Sequence, residues 1–595
     1  MELLNLDGVI EKGVFEIPSY QRGYAWQERQ LKDFWNDLEH VSKLGDKFHY
    51  MHSLTLRETE NELESSAFEI IDGQQRLATS LILLGLLAKI TQNKDPKYSL
   101  INLEPILSYK YYGLSEAFRA IMEEEKDLER FQPSFYAKNL IDAYAFFKEK
   151  ISDTPVGTLE KMFDALTKKM LFSVVGLNDN RIDPFSSFET INNRGKDLST
   201  LELFKNRLHF VAHKICDEED LENLQNEIND TYTIIYYDLR SFEDDDLESF
   251  LKHFVEYYYG EKGDFKKRLL EMEFNAHKRY TYNTPFSDEY DKIDELLFYL
   301  SYSSKVWYFL HTLDDEELRI EITPKTRTLL DKMRRLNALS DNAFLPLLLS
   351  LFTIQLEGKH PYTTKELEGL LEYLERFGFL IYGVAGKKTA KNEWIELAFR
   401  AFRAYRSWED RITIEDLPPL EKHFFKGEHS GLELLEESIH SLKNTEKWYQ
   451  WGKALNYLLY EYELYHNPET TLKFDSSIES IEHILPQKPD QGYSTKEKSW
   501  AKNSHIVHAL GNLLLMAKNA NSSLSNKPFE EKRKEYLKGS YSEKEVAKNA
   551  SFGVVEIQER SEKLLDFLIA RYRIAELVGE YAIKDFKNAL LKEIK

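Results

Sequence analysis

The sequence has 595 residues, of which 42% are hydrophobic and 13% aromatic, enough apolar material for about three to four domains. The single cysteine, Cys216, excludes an internal disulfide framework and a multi-cysteine zinc site. No apolar run reaches the roughly 18 residues of a transmembrane helix, and the first residues lack the pattern of a signal peptide, so we expect a cytoplasmic protein without membrane contact. The net charge of −22 argues against non-specific binding of nucleic acid, so any DNA-binding hypothesis must rest on a particular site.

The first candidate site lies in residues 14–26. A short strand, Val14 to Ile17, is followed by a loop that combines hydrogen-bond donors with aromatic rings. Such a loop can stack a base and contact a phosphate. Alternatively, its aromatic rings anchor the next helix, predicted from Glu28 to His40. The side chains concerned are Tyr20, Gln21, Arg22, Tyr24 and Trp26.

Residues 68–87 contain the second candidate site. Two strands are predicted at 49–57 and 65–71, and the second ends in the turn Asp72-Gly73. Gln74-Gln75-Arg76 then opens an apolar helix. A strand, a glycine turn and a helix start together favour an anion site, because free N–H groups and the helix dipole point to one place. Arg76 has the wrong charge for the dipole, and a phosphate would satisfy both features. The alternative is an ordinary turn with Arg76 in a salt bridge.

A third polar segment follows a strand predicted at 171–177. Asn192-Asn193-Arg194-Gly195-Lys196 carries two cations that could reach a phosphate, and its amides could orient the phosphate or a metal. Ser199 or Thr200 is expected to cap the next helix, with Glu202 near the capping-box position. Alone, this segment would be read as a solvated loop between two helices.

Together, in this order, the three segments resemble the N-terminal domain of GmrSD-type restriction proteins, over about residues 1–210. The resemblance implies a fold related to the ParB/sulfiredoxin group, with nucleotide hydrolysis coupled to recognition of modified DNA. It implies a nucleotide site formed by Asp72, Gly73, Gln74, Gln75, Arg76, Arg22, Asn193 and Arg194. It further implies DNA sensing by Tyr20, Gln21, Tyr24 and Trp26. No Walker-type phosphate loop occurs, so this is not a P-loop enzyme.

Residues 211–440 are predicted to be a helical linker domain, because long apolar faces recur at helical spacing. The remaining third domain, 441–595, holds the last candidate site. A strand is expected at 478–486, a second at 510–516 beginning near a glycine, a loop at 519–529 and a helix at 530–536.

These last elements supply the groups that phosphodiester hydrolysis needs. A neutral histidine, His483, can take a proton from water. A carboxylate and amide oxygens suit a hard metal that stabilises the leaving oxygen. A single histidine in a strand is otherwise most often structural. Here Glu482, the Pro486 turn and the interval from Asn512 to Asn521 accompany it.

Residues 440–570 resemble the His-Asn-Asn variant of the HNH (His-Me finger) nucleases, and specifically the C-terminal domain of GmrSD-type proteins. By that resemblance His483 is the general base and Asn512 orients it. Glu482 and Asn521 would bind Mg²⁺ or Mn²⁺. The resemblance thus implies a ββα-metal nuclease domain.

The combined prediction is a multidomain, mostly helical α+β protein that acts as a nucleotide-regulated DNA endonuclease against modified phage DNA. The nucleoside triphosphate is open among GTP, ATP, UTP and CTP, and so is the oligomeric state, with a homodimer as one option. Two alternatives remain at this stage. One is a nucleotide-switched DNA- or partner-binding protein with an inactive nuclease site, and the other is an RNA-directed nuclease of abortive infection.

Overall fold

A computed structural model describes residues 2–591 apart from several segments. The segments left out are 46, 60–65, 92–102, 111–112, 132–134, 178–184, 186, 189–197, 243, 277, 279–287, 317, 319, 360, 408–410, 425–447, 449–451, 474–477 and 490–491. Within the part that is described, no helix has the length and apolar character needed to cross a membrane.

The chain divides into two compact units. The first comprises residues 1–255 and 263–308, and the second comprises 256–262 and 309–595. The predicted helical linker, 211–440, is therefore shared between both units. The predicted three-domain division stays a prediction, whereas the multidomain, predominantly helical α+β class is confirmed.

A six-stranded mixed sheet forms the centre of the first unit. Its strands are β1 (Glu2–Asn5), β2 (Val14–Ile17), β3 (His49–Thr59), β4 (Ala67–Asp72), β5 (Leu107–Tyr109) and β6 (Met170–Gly176). They lie in the order β1-β6-β3-β4-β2-β5. β4 pairs antiparallel with β3 and parallel with β2, so the strand before the Asp72-Gly73 turn lies inside the sheet. The strand at 14–17 has the predicted bounds.

Helices cover this sheet, and α3 (Gln74–Ile90) is an example. Its residues Leu77 to Ala88 are all buried, so it is apolar on every face and belongs to the core. The helices from here to residue 312 are α1 (Leu6–Ile10), α2 (Glu28–Lys43), α3 (Gln74–Ile90), α4 (Leu114–Met122), α5 (Phe135–Ser152), α6 (Val156–Lys168), α7 (Thr200–Ile215), α8 (Glu218–Asp238), α9 (Asp244–Tyr259), α10 (Phe265–Lys267) and α11 (Asp288–Thr312). A π-helix, Arg268–Glu273, continues α10.

Among its described residues, the second unit is helical apart from one antiparallel pair of strands, β7 (Glu479–His483) and β8 (Leu513–Ala517). We call this pair the histidine hairpin, because β7 ends at His483. A π-helix, Gly378–Val384, follows α14 (Thr364–Phe377). The helices are α12 (Pro324–Ser340), α13 (Leu345–Glu357), α14 (Thr364–Phe377), α15 (Lys391–Ser407), α16 (Leu420–Phe424), α17 (Lys453–His466), α18 (Thr495–Ala501), α19 (Ser504–Val507), α20 (Lys518–Leu524), α21 (Phe529–Tyr536), α22 (Tyr541–Val546), α23 (Val554–Arg571), α24 (Ile574–Val578) and α25 (Glu580–Leu591).

Three details predicted for these strands and the loop after them were wrong. β7 ends at His483, before Pro486, although Ile484 N–H still bonds to the Asn512 carbonyl. β8 begins only after a 3₁₀ turn, Leu510–Asn512. The predicted loop at 519–529 is largely the helix α20.

Candidate functional site

The turn at Gly73 requires glycine. Its φ is +104°, a conformation that side chains rarely adopt. A Cβ there would also lie 2.9 Å from a Leu54 methyl group and 3.0 Å from the Ser53 carbonyl oxygen. Contact with β3, the neighbouring strand, therefore fixes the point at which β4 passes into α3.

Two glutamines after this turn hold the loop that follows β2. Gln74 Nε2 donates to the Arg22 carbonyl at 2.9 Å, and Gln75 Nε2 donates to the Gly23 carbonyl at 2.9 Å. Gln75 Oε1 also accepts from Ala25 N–H at 2.8 Å. The first and second sequence motifs are therefore one structure, in which glutamine amides of the turn replace backbone pairing for the loop.

Gln21 and Arg76 add to the contacts of Gln74 and Gln75. We call the four side chains together the glutamine clamp. Gln21 Nε2 donates back to the Ile71 carbonyl at 3.2 Å. Arg76 donates to the Ser53 carbonyl at 2.7 Å and to the Asp72 carboxylate at 3.2 Å. The predicted phosphate ligand Arg76 is thus already bonded within the unit, as the salt-bridge alternative foresaw, and its role toward a nucleotide stays a prediction.

The aromatic residues of the loop are mostly buried. Tyr24 is fully buried, its hydroxyl lies 2.7 Å from Thr79 Oγ1, and burial raises its pKa. Tyr20 packs against Phe185 with a ring-centroid distance of 4.8 Å, whereas Trp26 is half-buried. This geometry gives Tyr20 and Tyr24 a packing role, and their predicted contact with DNA stays a prediction.

A cavity of about 490 Å³ lies beside this loop. Arg22 lines it, and Arg22 Nη1 lies 3.7 Å from Glu202 Oε2. The predicted capping box is confirmed, since Ser199 and Glu202 cap α7 reciprocally. Tyr136 contributes an aromatic wall and donates to Glu202 at 3.3 Å. The other lining residues are Ala25, Gln27, Phe135, Leu198, Tyr236, Leu239, Phe242, Asp245, Leu247 and Glu248.

Lys205 is a residue that the sequence patterns did not single out. It is buried, and its Nζ donates to the Ser19 carbonyl at 2.6 Å, so it holds the start of the same loop. Burial lowers its pKa to about 7. Its spacing of three from Glu202 on an apolar helix was the available signal. The predicted Asn193 and Arg194 lie outside the described residues.

In the second unit, His483 stands at the end of β7, opposite Leu513 of β8. Its Nε2 lies 3.1 Å from Nδ1 of His508, and the Gln487 amide is 3.4 Å from the ring. Burial, followed by the charges of His508 and Lys532, lowers the pKa of His483 to about 3. The imidazole is therefore neutral at physiological pH, the form that accepts a proton.

The side chains of Glu482 and His483 lie on opposite faces of β7, because the two residues are neighbours in the strand. Its carboxylate accepts from Lys532 Nζ and from the Tyr536 hydroxyl at 3.1 Å. Lys532 also donates to the His483 carbonyl at 2.9 Å. The structure thus gives the Glu482 carboxylate a lysine partner, and metal binding by Glu482 stays a prediction.

Asn512 holds the turn after His483. Its Oδ1 accepts from Leu485 N–H at 2.7 Å, and its Nδ2 donates to the Leu485 carbonyl at 2.9 Å and the Val507 carbonyl at 2.7 Å. Val507 directly precedes His508, so Asn512 ties together the backbones that carry both histidines. The predicted orienting role is therefore available to it through the backbone.

Asn521 lies on α20, and its Nδ2 donates to Ser480 Oγ at 2.8 Å. Ser480 and Glu482 share one face of β7, because they are two residues apart. No cluster of three or more His, Cys, Asp or Glu side chains suited to a metal occurs among the described residues. Carboxylate and amide oxygens are nevertheless the donors that Mg²⁺ and Mn²⁺ prefer, and Mg²⁺ needs only one or two carboxylates besides water. Glu482 and Asn521 carry oxygen donors of this kind, and metal binding by the two side chains stays a prediction.

Comparison with known families gives two matches. Residues 3–209 match the family model of the GmrSD restriction endonuclease N-terminal domain, and residues 436–567 match that of the GmrSD C-terminal domain. Together the two matches cover more than half of the 595 residues. No curated protein matches the chain. The first match contains the glutamine clamp and the second contains the histidine hairpin. The family consists of DNA endonucleases of restriction defence, and the chain belongs to it.

Proposed function

We propose that the chain is a nucleotide-regulated, metal-dependent endonuclease that cleaves modified phage DNA. The observation that carries the nuclease assignment is the neutral His483, held at a strand end whose following turn is fixed by Asn512. The family supplies the DNA endonuclease class. The modification, the nucleotide control and the metal are part of the proposal.

In the proposed reaction, a water oxygen attacks the phosphorus of the scissile phosphodiester. His483 takes the proton of that water, and the bond from phosphorus to the leaving sugar oxygen breaks. The phosphate charge of bound DNA favours the protonated imidazole and so strengthens the base. Nδ1 of His508 lies 3.1 Å from Nε2 of His483, so the tautomers of the two rings depend on each other.

A divalent ion would be held by Glu482 and Asn521 and would supply positive charge for the leaving oxygen. The ammonium group of Lys532 donates both to the Glu482 carboxylate and to the His483 carbonyl. Lys532 therefore connects the proposed metal ligand to the proposed base.

The nuclease test compares wild type with His483→Ala on modified and unmodified phage DNA, with Mg²⁺ and nucleoside triphosphate. We expect the variant to lose about 10²- to 10⁴-fold in cleavage rate. His505→Ala is the matched control, since His505 is exposed on α19 and should cleave like wild type. Equal cleavage by His483→Ala, or no cleavage of any DNA, would refute the assignment. An RNA substrate in the same series separates DNA from RNA as the target.

For the nucleotide we propose the 490 Å³ cavity beside Arg22, within the usual range of ligand pockets. Arg22 supplies a cation for phosphate and the ring of Tyr136 a surface for a base. The Asp72–Arg76 turn would act chiefly by holding Arg22 in place through Gln74.

Arg22→Ala should weaken nucleotide binding at least tenfold in calorimetry, because a charge-assisted contact contributes about 1.5–3 kcal/mol. Arg29→Ala removes an exposed arginine of α2 and should bind nucleotide normally. Unchanged affinity in Arg22→Ala would remove the cavity from the proposal and return attention to Arg76.

A further inference from the structure

A second cavity, of about 500 Å³, lies in the second unit. It is formed by α12, α14 and the residues around the end of α23. Five cationic side chains line it, against the two carboxylates of Glu372 and Glu375. The cations are Lys325, Lys332, Arg376, Arg571 and Arg573. We call it the cationic pocket, although Glu368, Glu461 and Glu576 also pair with its cations.

Its floor is a buried ion network. Lys332 bonds to Glu461 at 2.6 Å, and Arg571 contacts Glu375 at 3.1 Å and Glu461 at 3.2 Å. The side chains of both glutamates are at most 2% exposed. These two cations neutralise buried carboxylates, so they hold the fold and fix the shape of the floor.

The rim differs from the floor because its charges are exposed. Lys325 is 55% exposed and pairs with Glu372 at 2.8 Å and Glu368 at 3.3 Å. Arg573 is 61% exposed, and its nearest carboxylate oxygen, on Glu576, is 3.7 Å away. Exposed ion pairs of this kind contribute little to stability, so a ligand with more negative charge can replace the carboxylates.

Arg376 connects the floor to the rim. It donates to the carbonyls of Tyr572 and Arg573, each at 3.0 Å, and lies 3.0 Å from Glu576. The backbone that carries Arg573 is therefore anchored, and the exposed guanidinium extends from a fixed base. A preorganised arginine of this kind loses little entropy when it binds an oxyanion.

We propose that the cationic pocket binds phosphate groups, either of a DNA backbone or of a free polyphosphate. Its volume suits several phosphate groups, and its rim offers one lysine and one arginine, the side chains that bind phosphate best. The pocket lies beyond the proposed function, because none of its residues belongs to the clamp, the Arg22 cavity or the histidine hairpin.

The test measures DNA affinity by fluorescence anisotropy over a range of salt concentrations, in metal-free buffer to prevent cleavage. The full chain is compared with Lys325→Ala/Arg573→Ala. If the rim holds DNA phosphates, the slope of log K against log salt falls by about 2, one unit for each lost contact. Lys359→Ala/Lys422→Ala removes two exposed, ion-paired lysines of the same unit and should leave the slope unchanged.

A second arm titrates tripolyphosphate by calorimetry. Loss of binding in the rim variant with an unchanged DNA slope assigns the pocket to a free polyphosphate. A lower slope in the DNA arm assigns it to the DNA backbone. If the rim variant behaves like the control variant in both arms, the proposal is wrong. Neither arm measures cleavage, so a failure of the nuclease assignment remains distinguishable from a failure of this proposal.

Discussion

The residue to which we assign the base, His483, is defined by its surroundings more than by its position in the sequence. Burial, followed by electrostatic contributions of His508 and Lys532, lowers its pKa and keeps it neutral, and His508 lies 3.1 Å away. The sequence identified His483 as the candidate base through its resemblance to a family. The contact with His508 did not follow from the sequence, because a separation of 25 residues carries no geometric information.

Glu482 and Lys532 form the pair with the strongest expected effect on stability. Lys532 is fully buried and bonds to Glu482 and to the His483 and Ile484 carbonyls. We expect Lys532→Met to lower the free energy of unfolding by about 3–5 kcal/mol, because it leaves a buried carboxylate without its counter-ion. Urea unfolding of the variant would measure this.

The double variant Lys532→Met/Glu482→Gln serves as the control for that experiment. It removes both charges, so it should recover part of the lost stability. Cleavage should be impaired, because Glu482 is a proposed metal ligand. Equal stability of Lys532→Met and wild type would mean that the pair does not hold the hairpin together.

Lys205 predicts a pH dependence of stability. Its pKa is about 7 in the folded chain, against an ordinary value of 10.5. Between these values the unfolded chain binds a proton that the folded chain does not, so this residue makes stability rise with pH from about 7 to about 10. Below pH 7 both states are protonated, and the burial of the charge opposes folding in full.

Lys205→Met should remove this dependence. The stability difference between wild type and variant should change by up to about 1.4 kcal/mol per pH unit across that window, in favour of wild type at high pH. The lost bond to Ser19 adds a constant offset. Thermal unfolding at a series of pH values checks the slope, and parallel curves for the two proteins would show that Lys205 does not titrate in this window.

At the scale of elements, the glutamine clamp shows both what a sequence reveals and what it hides. The strand, the glycine turn and the buried helix α3 follow from apolar pattern and turn chemistry. The bonds from Gln74 and Gln75 to the loop at 22–25 do not, because they join segments about 50 residues apart. The sequence of the turn therefore predicts an anion site, whereas in the structure its glutamine side chains hold the loop at 22–25 in place.

α20 illustrates the opposite error. Lys518–Leu524 is rich in asparagine and serine, which compete with the helical backbone for hydrogen bonds, so a loop was predicted. Burial of Leu524 and the bond from Asn521 to Ser480 outweigh that local preference. The register that places Asn521 beside β7 depends on this helix.

The clamp can be tested with Gln75→Leu. The substitution leaves the Gly23 carbonyl and the Ala25 N–H without partners, which should cost about 1–3 kcal/mol for each buried group. Because the loop carries Arg22, nucleotide affinity should fall as well. Gln225→Leu on α8 loses one exposed bond to His213 and is the matched control. Normal nucleotide binding by Gln75→Leu would separate the clamp from the cavity.

For the whole molecule, the two units carry different chemistry: a clamped loop beside a cavity in one, and a histidine hairpin in the other. The order of these motifs along the chain identified the family, and the two family matches confirm it. The sequence did not reveal the cationic pocket, because its residues come from segments up to about 250 positions apart and none forms a motif.

The central claim is that one unit cuts DNA and the other controls the cut through a nucleotide. The most direct measurement is the cleavage rate of modified phage DNA by wild type, His483→Ala and Arg22→Ala, each with and without nucleoside triphosphate. The account predicts a rate that depends on nucleotide in wild type, a basal rate insensitive to nucleotide in Arg22→Ala, and a rate about 10²- to 10⁴-fold lower in His483→Ala. Cleavage by His483→Ala at the wild-type rate, or an unchanged nucleotide response in Arg22→Ala, would contradict it.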